Sequence, residues 1–448
     1  METDCDVLIV GGGLVGTSLA LALAQAPLRT ILVEARGPGG SAPAPEPSRQ
    51  PNLVQPPATE RPGERYLALS RASMNALQRL SVRPLLTGAP EPIRAIHVSR
   101  RGDFGRVLLS AQEAGLEDFG AVVPASVLGR ALSGALQAQL TTITTSLSQA
   151  AAGAGNPGLT HLAPARLLAL DCGGDSVTAT IESSHGPQKL RASVVVGADG
   201  AGSLVAAQTG LAAESHDYGQ EAVVFAAGCS RAHEGVAYER FTDDGALAAL
   251  PLPGRRVGLV WTRRRQADDQ AADVASAGPM PDAPAVLAQV QAQFGQRLGR
   301  LHSPGPCARF PLLRRWAAQT VSGRVVLIGN AAQTLHPIAA QGFNLGLRDA
   351  LVLAESLLAA GNNASGLASA LAAYQTRRAP DRQRIADLSH ALARWPKVSL
   401  PGLGLVRSLG FAALNASTGL RQSLMLAGMG FSQDAPAAVL EPAVWSRP

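Results

Sequence analysis

The first 34 residues constrain the fold more than any other part of the chain. Asp6 to Val10 is a short apolar run that reads as a buried parallel strand. It ends in Gly11-Gly12-Gly13-Leu14-Val15-Gly16, which places glycines at the GxGxxG positions, and Thr17 to Gln25 continues as a helix rich in Ala and Leu. Thr30 to Glu34 is a second strand, and its closing acid comes about 20 residues after the glycine turn, as a dinucleotide fingerprint requires. Each glycine has a mechanical reason. Gly11 permits the tight turn, Gly13 lets a pyrophosphate approach the backbone, and Gly16 lets the helix pack on the strand. Phosphates then sit on the positive end of the helix, and Glu34 accepts hydrogen bonds from a ribose. A GxGxxG string alone is a weak signal, and a turn that merely saves space is the alternative. Strand, turn, helix, strand and acid in register favour a dinucleotide site.

FAD and NAD both use such a unit, so later segments must choose between them. "VVVGADGAGSLV", residues 194–205, is an apolar strand that stops at Ala198-Asp199-Gly200, before a helix start at Ser203. "VVLIGNAAQTLHPIAAQGFNLGLRDAL", residues 325–351, is another apolar strand, ending in Gly329-Asn330. It runs on through small residues, one His-Pro pair and further glycines into a helix. A simple NAD dehydrogenase does not need its chain to return to the cofactor twice. Three strand ends that finish in Gly and a small acidic or amide residue point to one long ligand, FAD. One fingerprint and no redox CxxxxC pair near the front argue against a disulfide reductase.

Composition narrows the class. At 448 residues and 46.0 kDa the chain can build two or three domains with substantial cores. It is 46% hydrophobic but only 16% charged, which suggests a surface with more apolar area than usual and a greasy partner. The net charge of +6 suits an anionic membrane face or a phosphorylated cosubstrate. Nucleic acid is a poor partner for a chain with 4% aromatics and scattered basic groups. The triplet Arg263-Arg264-Arg265 reads as a solvated loop ahead of a cosubstrate dock. Cys5, Cys172, Cys229 and Cys307 are far apart and form no CxxC, so neither a metal site nor a disulfide framework is expected, and a reducing cytoplasmic setting fits. The N-terminus lacks the basic region of a secretory signal, and no apolar run reaches the roughly 18 residues of a spanning helix.

The glycine turn, the "GADG" of residues 197–200 and the late "GNAAQTLHPIAAQGFN" of residues 329–344 together resemble the class A flavoprotein monooxygenases with the para-hydroxybenzoate hydroxylase fold. That family shows a late Gly-Asp-Ala-Ala-His-x-x-x-Pro followed by Gly-x-x-x-Asn or a close variant. Over most of the chain the resemblance is to the ubiquinone-biosynthesis hydroxylases, carried further by "HVSRRGDFG" at 97, "AHEGVAYERFTDDGALAALPLP" at 232 and "FGQRLGRL" at 294. One departure is Asn330, where the wider family has Asp; Asn brings a donor as well as an acceptor.

The resemblance implies an α/β fold, in which a Rossmann-like FAD-binding domain is interleaved with an antiparallel-sheet substrate domain and followed by C-terminal helices. Residues 1–92, 121–203 and 308–365 are expected in the first, 93–120 and 204–307 in the second, and 366–448 in the helical region. Alternating segments such as "RVLLS" and "RVGLVW" suit the sheet domain. Residues 37–64, crowded with Pro and Gly, read as a flexible insertion, and "SRASMNALQRL" as a helix capped by Ser70 or Ser73.

By motif, Gly11, Gly13, Gly16 and Glu34 bind the adenosine half of FAD, with Arg36 over the adenine side. Arg65 matches a family arginine near the phosphates, its other reading being a solvated side chain. Asp199 and Gly200 lie near the pyrophosphate and ribityl region, and Gly329 and Asn330 approach the same linker. Pro337, Gln341, Gly342, Phe343 and Asn344 flank the flavin ring, which would explain the scarcity of large side chains there. His336 is either an acid or base or, more simply, part of the turn. The implied chemistry is FAD-dependent: NAD(P)H reduces the flavin and O2 then supplies an oxygen to an electron-rich ring. The implied substrate is a polyprenylated phenol of ubiquinone biosynthesis, first of all 2-polyprenyl-6-methoxyphenol, with another ring position as the next reading. A flavin-dependent prenyl reductase and a noncatalytic FAD-stabilised scaffold of a quinone-biosynthesis complex are rivals. The C-terminal region from Arg394 reads as a packed appendix, a partner surface or an element at the inner membrane surface.

Overall fold

The computed structural model describes residues 3–36, 63–140 save 89, 142–144, 158–265, 282–394 save 362 and 363, 403–417, and scattered positions from 419 to 439. The insertion expected at 37–64 therefore lies outside the described residues, apart from its last two positions.

Two large sheets organise the chain. In the first, Cys5–Val10 pairs in parallel with Arg29–Val33 on one side and with Gly186–Gly197 on the other. Arg29–Val33 continues the parallel run to Gly158–Leu162, and Gly186–Gly197 continues it to Val325–Leu327. Both faces of this sheet are covered, which is why its central strands are continuous apolar runs rather than alternating ones. Helices Leu14–Leu23, Ala125–Gln139 and Gln341–Ala360 contribute to the core on one face. The register is the consequential feature. Val10 lies opposite Gly197, and Gly197 opposite Leu327, so three carboxyl-terminal strand ends finish side by side. The turns at Gly11, Ala198 and Gly329 therefore share one edge of one sheet, where α/β folds place their ligand crevice.

The second sheet is built on the long strand Glu214–Cys229, which pairs antiparallel with Arg256–Arg264 and with Ala308–Trp316. It extends through Ala246–Leu252 and Val236–Phe241 to Ala95–Arg100 and the edge strand Arg106–Ser110. The join between Val236–Phe241 and Ala95–Arg100 is parallel, because the two strands come from separate excursions of the chain out of the first domain. Two elements depart from the expected divisions. Leu204–Gln208 is a helix whose Val205 packs with Val195 and Leu327 against the first sheet, and Ala308–Trp316 hydrogen-bonds in the second. Burial partners, not proximity to a glycine motif, decide where each belongs.

Arg263 and Arg265 are not the solvated loop expected. Arg263 lies within strand Arg256–Arg264 and donates to Glu221 at 2.7 Å, beside Arg309 on the other carboxylate oxygen, while Arg265 pairs with Asp217. A three-stranded sheet of Tyr66–Ser70, Gly120–Pro124 and Glu91–Pro92 bridges the domains. Helix Arg71–Arg79 follows directly, with the Ser70 hydroxyl accepting from Ser73 N, so Ser70 is the cap. At the C-terminus, helix Leu403–Ala416 packs on the edge strand Arg106–Ser110, which for these residues is the packing reading. Among the described residues no helix is long and apolar enough to cross a membrane.

Candidate active site

The four glycines of the first turn do different work. Gly11 has φ +107°, and a Cβ there would lie 2.5 Å from the Ala198 carbonyl oxygen. A Cβ on Gly16 would collide with the Gly11 carbonyl, so the helix meets the strand end backbone to backbone. Gly12, which the fingerprint leaves unspecified, donates its N–H to Glu34 Oε2 at 2.7 Å. A Cβ at Gly12 would meet that same oxygen, so turn and acid form one unit. Gly13 alone faces open space: a Cβ there meets nothing within 4 Å. It precedes helix Leu14–Leu23, whose first turn has no side-chain cap, so its amide donors remain available to an anion.

Asp199, on the neighbouring strand end, is held by one oxygen. Its Oδ2 accepts from Leu204 N at 2.8 Å and Val205 N at 3.2 Å, fixing the start of helix Leu204–Gln208. Its Oδ1 is buried and takes no hydrogen bond among the described residues. Such an acceptor is costly unless a donor arrives from elsewhere. Gly200, with φ +87°, opens to free space. At the third strand end the crowding has a different source from the one expected. Gly329 has φ +58°, and a Cβ there would sit 3.1 Å from Val15, while a Cβ on Gly346 would sit 2.8 Å from the same side chain. The first helix by itself demands glycine at both positions. The Asn330 side chain is exposed.

Residues 336–344 form the turn into helix Gln341–Ala360. His336 is buried; its Nδ1 accepts from Ile338 N at 3.4 Å, its carbonyl accepts from Ser389 Oγ, and its ring meets Tyr218 edge to face at 5.1 Å. These contacts fit the turn-shaping reading. Pro337 opens the short 3-10 turn that follows. Ala340 adopts φ +49°, an unfavourable left-handed conformation for a residue with a Cβ. Its carbonyl is held at 2.9 Å by Asn344 Nδ2, which also donates to Ala68 O at 3.0 Å. Asn344 Oδ1 accepts from Ser70 N at 3.0 Å and Ser73 Oγ at 2.7 Å. The amide has two donors and two acceptor sites, and the protein uses all four.

Asn344 is thus a clasp between the helix start and strand Tyr66–Ser70, and it borders the same cavity as Gln341. Phe343 instead packs toward Ala72 and Leu347, a correction to its expected place against the flavin ring. The cause is helical geometry: successive side chains turn by about 100°, so Phe343 leaves the face that Gln341 and Asn344 share. Gln341 borders a cavity and Gly342 is exposed, with open space where a Cβ would go. Arg36 and Arg65 are exposed.

A buried ionic network behind this turn was not read from the sequence. Asp349 accepts from Arg378 Nε at 2.8 Å and from Gln333 Nε2, while Asp381 accepts from Arg348 and Arg378. Arg382 donates to Gln333 Oε1 at 2.8 Å. Burial alone would raise the Asp381 carboxyl, but the Arg348 and Arg378 guanidiniums outweigh it and hold it well below the carboxylate range. Gln333 stands where the wider pattern has His. Charges at i, i+4 along a helix read as a solvated face, which hid Arg378 and Arg382; the "LRD" of residues 347–349 was the available hint.

A cavity of about 110 Å3 opens beside Gln341 and Ser70, between strand Tyr66–Ser70 and the second sheet. Ile96, Leu109, Phe119, Met425 and Met429 line it, and no ionisable side chain does.

Two family models, each described as an FAD binding domain, match residues 131–389 and 6–44. Ubiquinone hydroxylase UbiL of Rhodospirillum rubrum is 33% identical, covering 95% of this chain and 89% of its own. The chain belongs to the ubiquinone-biosynthesis hydroxylases, FAD-dependent aromatic monooxygenases. The 3-demethoxyubiquinol 3-hydroxylase of Escherichia coli is 31% identical over 95% of this chain and 98% of its own. The crystal structure of p-nitrophenol 4-monooxygenase PnpA from Pseudomonas putida shares the fold, with a TM-score of 0.70 at 18% identity, over 96% of this chain and 99% of that one. The cofactor of the present enzyme is FAD, with NAD(P)H as cosubstrate. The residues present fit this hydroxylase cofactor: open space at Gly13 and Gly342, uncapped helix starts at both, and an unsatisfied acceptor on Asp199 between them.

Proposed function

We propose that the enzyme hydroxylates the ring of 2-polyprenyl-6-methoxyphenol on the route to ubiquinone. The observation that carries this reading is the apolar cavity beside Gln341, which offers an uncharged ring a site between strand Tyr66–Ser70 and the second sheet and no counter-charge for an acidic one. In this reading Gly11 and Gly16 shape the turn, and Gly13 with the first-turn amides of helix Leu14–Leu23 takes the pyrophosphate. Glu34 takes the adenosine ribose, with Arg36 at the adenine rim. Asp199 Oδ1, Gly200, Gly329 and Asn330 surround the ribityl linker, and Pro337, Gln341 and Gly342 border the ring system. Arg65 stays in solvent.

Bound FAD supplies two-electron transfer from NAD(P)H and the activation of O2. The chain supplies position and environment. The uncapped start of helix Gln341–Ala360 puts the positive end of its dipole at Gly342, where it favours negative charge. The strained Ala340 and its Asn344 clasp hold that helix end in place, and the buried ionic network fixes the helix from behind. Apolar walls exclude water from the ring site.

A second reading, a 3-demethoxyubiquinol substrate, is favoured by the name of the Escherichia coli relative. Lipid extracts of cells lacking the protein separate the two. Accumulation of 2-polyprenyl-6-methoxyphenol supports the first, accumulation of 3-demethoxyubiquinol replaces it with the second, and normal quinone levels remove both. The purified holoenzyme should oxidise NAD(P)H faster with its phenol present and place one atom of isotopically labelled O2 on the ring. Yellow protein without either response would be the noncatalytic scaffold.

A further inference from the structure

We propose that Met425 and Met429 set which alkyl chain the enzyme accepts, by forming the displaceable wall through which that chain leaves the ring cavity. The inference rests on the reading above that this cavity takes the ring. Its volume of about 110 Å3 is of the order that holds a single benzene ring, roughly 150 Å3. A prenyl chain therefore extends past the wall that lines it.

Most of that wall cannot yield. Ile96 and Leu109 sit on paired strands of the second sheet, and Ala68 to Ser70 belong to the bridging sheet. The two methionines, each 4% exposed, come instead from a C-terminal segment outside either sheet. Described residues on either side of them are packed against the rest of the chain. Upstream, a Cβ on Gly105 would lie 2.6 Å from the Ser408 carbonyl oxygen, and Arg421 pairs with Glu113 at 3.4 Å. Downstream, Gly430 has φ +82°, and a Cβ there would sit 3.2 Å from both Ala72 Cβ and Arg348 Nη1. The two methionine side chains are the part of the wall that can move. Methionine is suited to that: unbranched, with three rotatable bonds and a polarizable sulfur, it reshapes at low cost where Ile or Phe would not. Two of the five methionines in the chain meet at this one wall.

The test compares Met425→Trp and Met429→Trp with the Leu substitution at each position, all as holoenzymes. Hydroxylated product is measured with 2-methoxyphenol and with the same phenol carrying a farnesyl chain. For the Trp variants the ratio of kcat/KM, farnesylated over tail-less, should fall about ten-fold or more, and for the Leu variants it should stay within about two-fold. Equal losses on both phenols, or an unchanged ratio, overturn the assignment. If the Trp variants do not retain FAD, the wild-type enzyme decides. Sulfoxidation of Met425 and Met429, mapped by mass spectrometry, should slow with the farnesylated phenol and not with the tail-less one, with Met74 as a buried reference. Protection by both or by neither refutes the proposal. Wild-type enzyme that turns over neither phenol refutes the functional reading itself, whereas turnover with an unmoved ratio refutes only the role of the methionines.

Discussion

Replacing Asn344 by Asp isolates the clasp at the start of helix Gln341–Ala360. The side chains are nearly isosteric, so no cavity opens. Asp keeps the two acceptor bonds, from Ser70 N and Ser73 Oγ, and loses the two donor bonds to Ala68 O and Ala340 O. Two carbonyls are then left without their donor at a residue only 2% exposed. At roughly 1–3 kcal/mol for each unsatisfied group, the loss is about 2–6 kcal/mol. The carboxylate also faces those carbonyls, so it gains a proton more readily than an ordinary Asp, and a protonated Asp restores one donor. The sign follows: the folded-state pKa of the new carboxyl is raised, so destabilisation is smaller below its unfolded pKa of about 4 and grows as pH rises. Urea unfolding of the apoprotein, followed by circular dichroism at pH 5 and pH 8, reads both effects without interference from cofactor release. With Ala340 no longer held, the holoenzyme should also lose FAD faster. A variant within about 0.5 kcal/mol of wild type at pH 8, a change of the size ordinary for surface positions, would refute the clasp, as would greater stability at the higher pH.

Gly13→Ala and Gly16→Ala should separate cradle from packing. The first adds a methyl where the protein has open space, so apoprotein stability should hold while the FAD Kd rises about ten-fold or more, some 1.4 kcal/mol; unchanged affinity by fluorescence titration would place the phosphates elsewhere. The second drives a Cβ into the Gly11 carbonyl and should destabilise the apoprotein by about 3 kcal/mol, measured by urea unfolding; a neutral effect would contradict the packing. Asp381→Asn tests the buried network. Because the native carboxyl is held low, its stabilisation is complete above the unfolded pKa of about 4 and is lost as pH falls below it. The variant should be less stable at pH 7 and lose less than wild type between pH 5 and pH 3; parallel pH profiles would show that the network does not depend on this charge.

Legibility followed the range of the interaction. The strand-turn-helix-strand-acid unit is local: Gly11, Gly16 and Glu34 meet within one βαβ segment, and their spacing already encodes the contact. The three strand ends were legible because each carries its own apolar run and terminal glycine. Phe343 was misplaced because a motif names consecutive residues while a helix sends them to different faces. The network of Arg348, Arg378, Arg382, Asp349 and Asp381 was invisible, since a charged residue on a helix looks the same whether it faces water or a buried opposite charge.

The sequence by itself determined that a dinucleotide would be gripped at a glycine turn, that the chain would return to it twice, and which chemistry such a cofactor brings. The tertiary structure alone decided what each small residue makes room for: Val15 against Gly329 and Gly346, open space at Gly13 and Gly342. It alone brought Met425 and Met429, more than three hundred residues from Ile96 and Leu109, to the same cavity. Local spacing is written in the backbone's own periodicity, whereas long-range juxtaposition depends on which apolar faces bury one another, and many orders of packing share the same pattern of apolar residues.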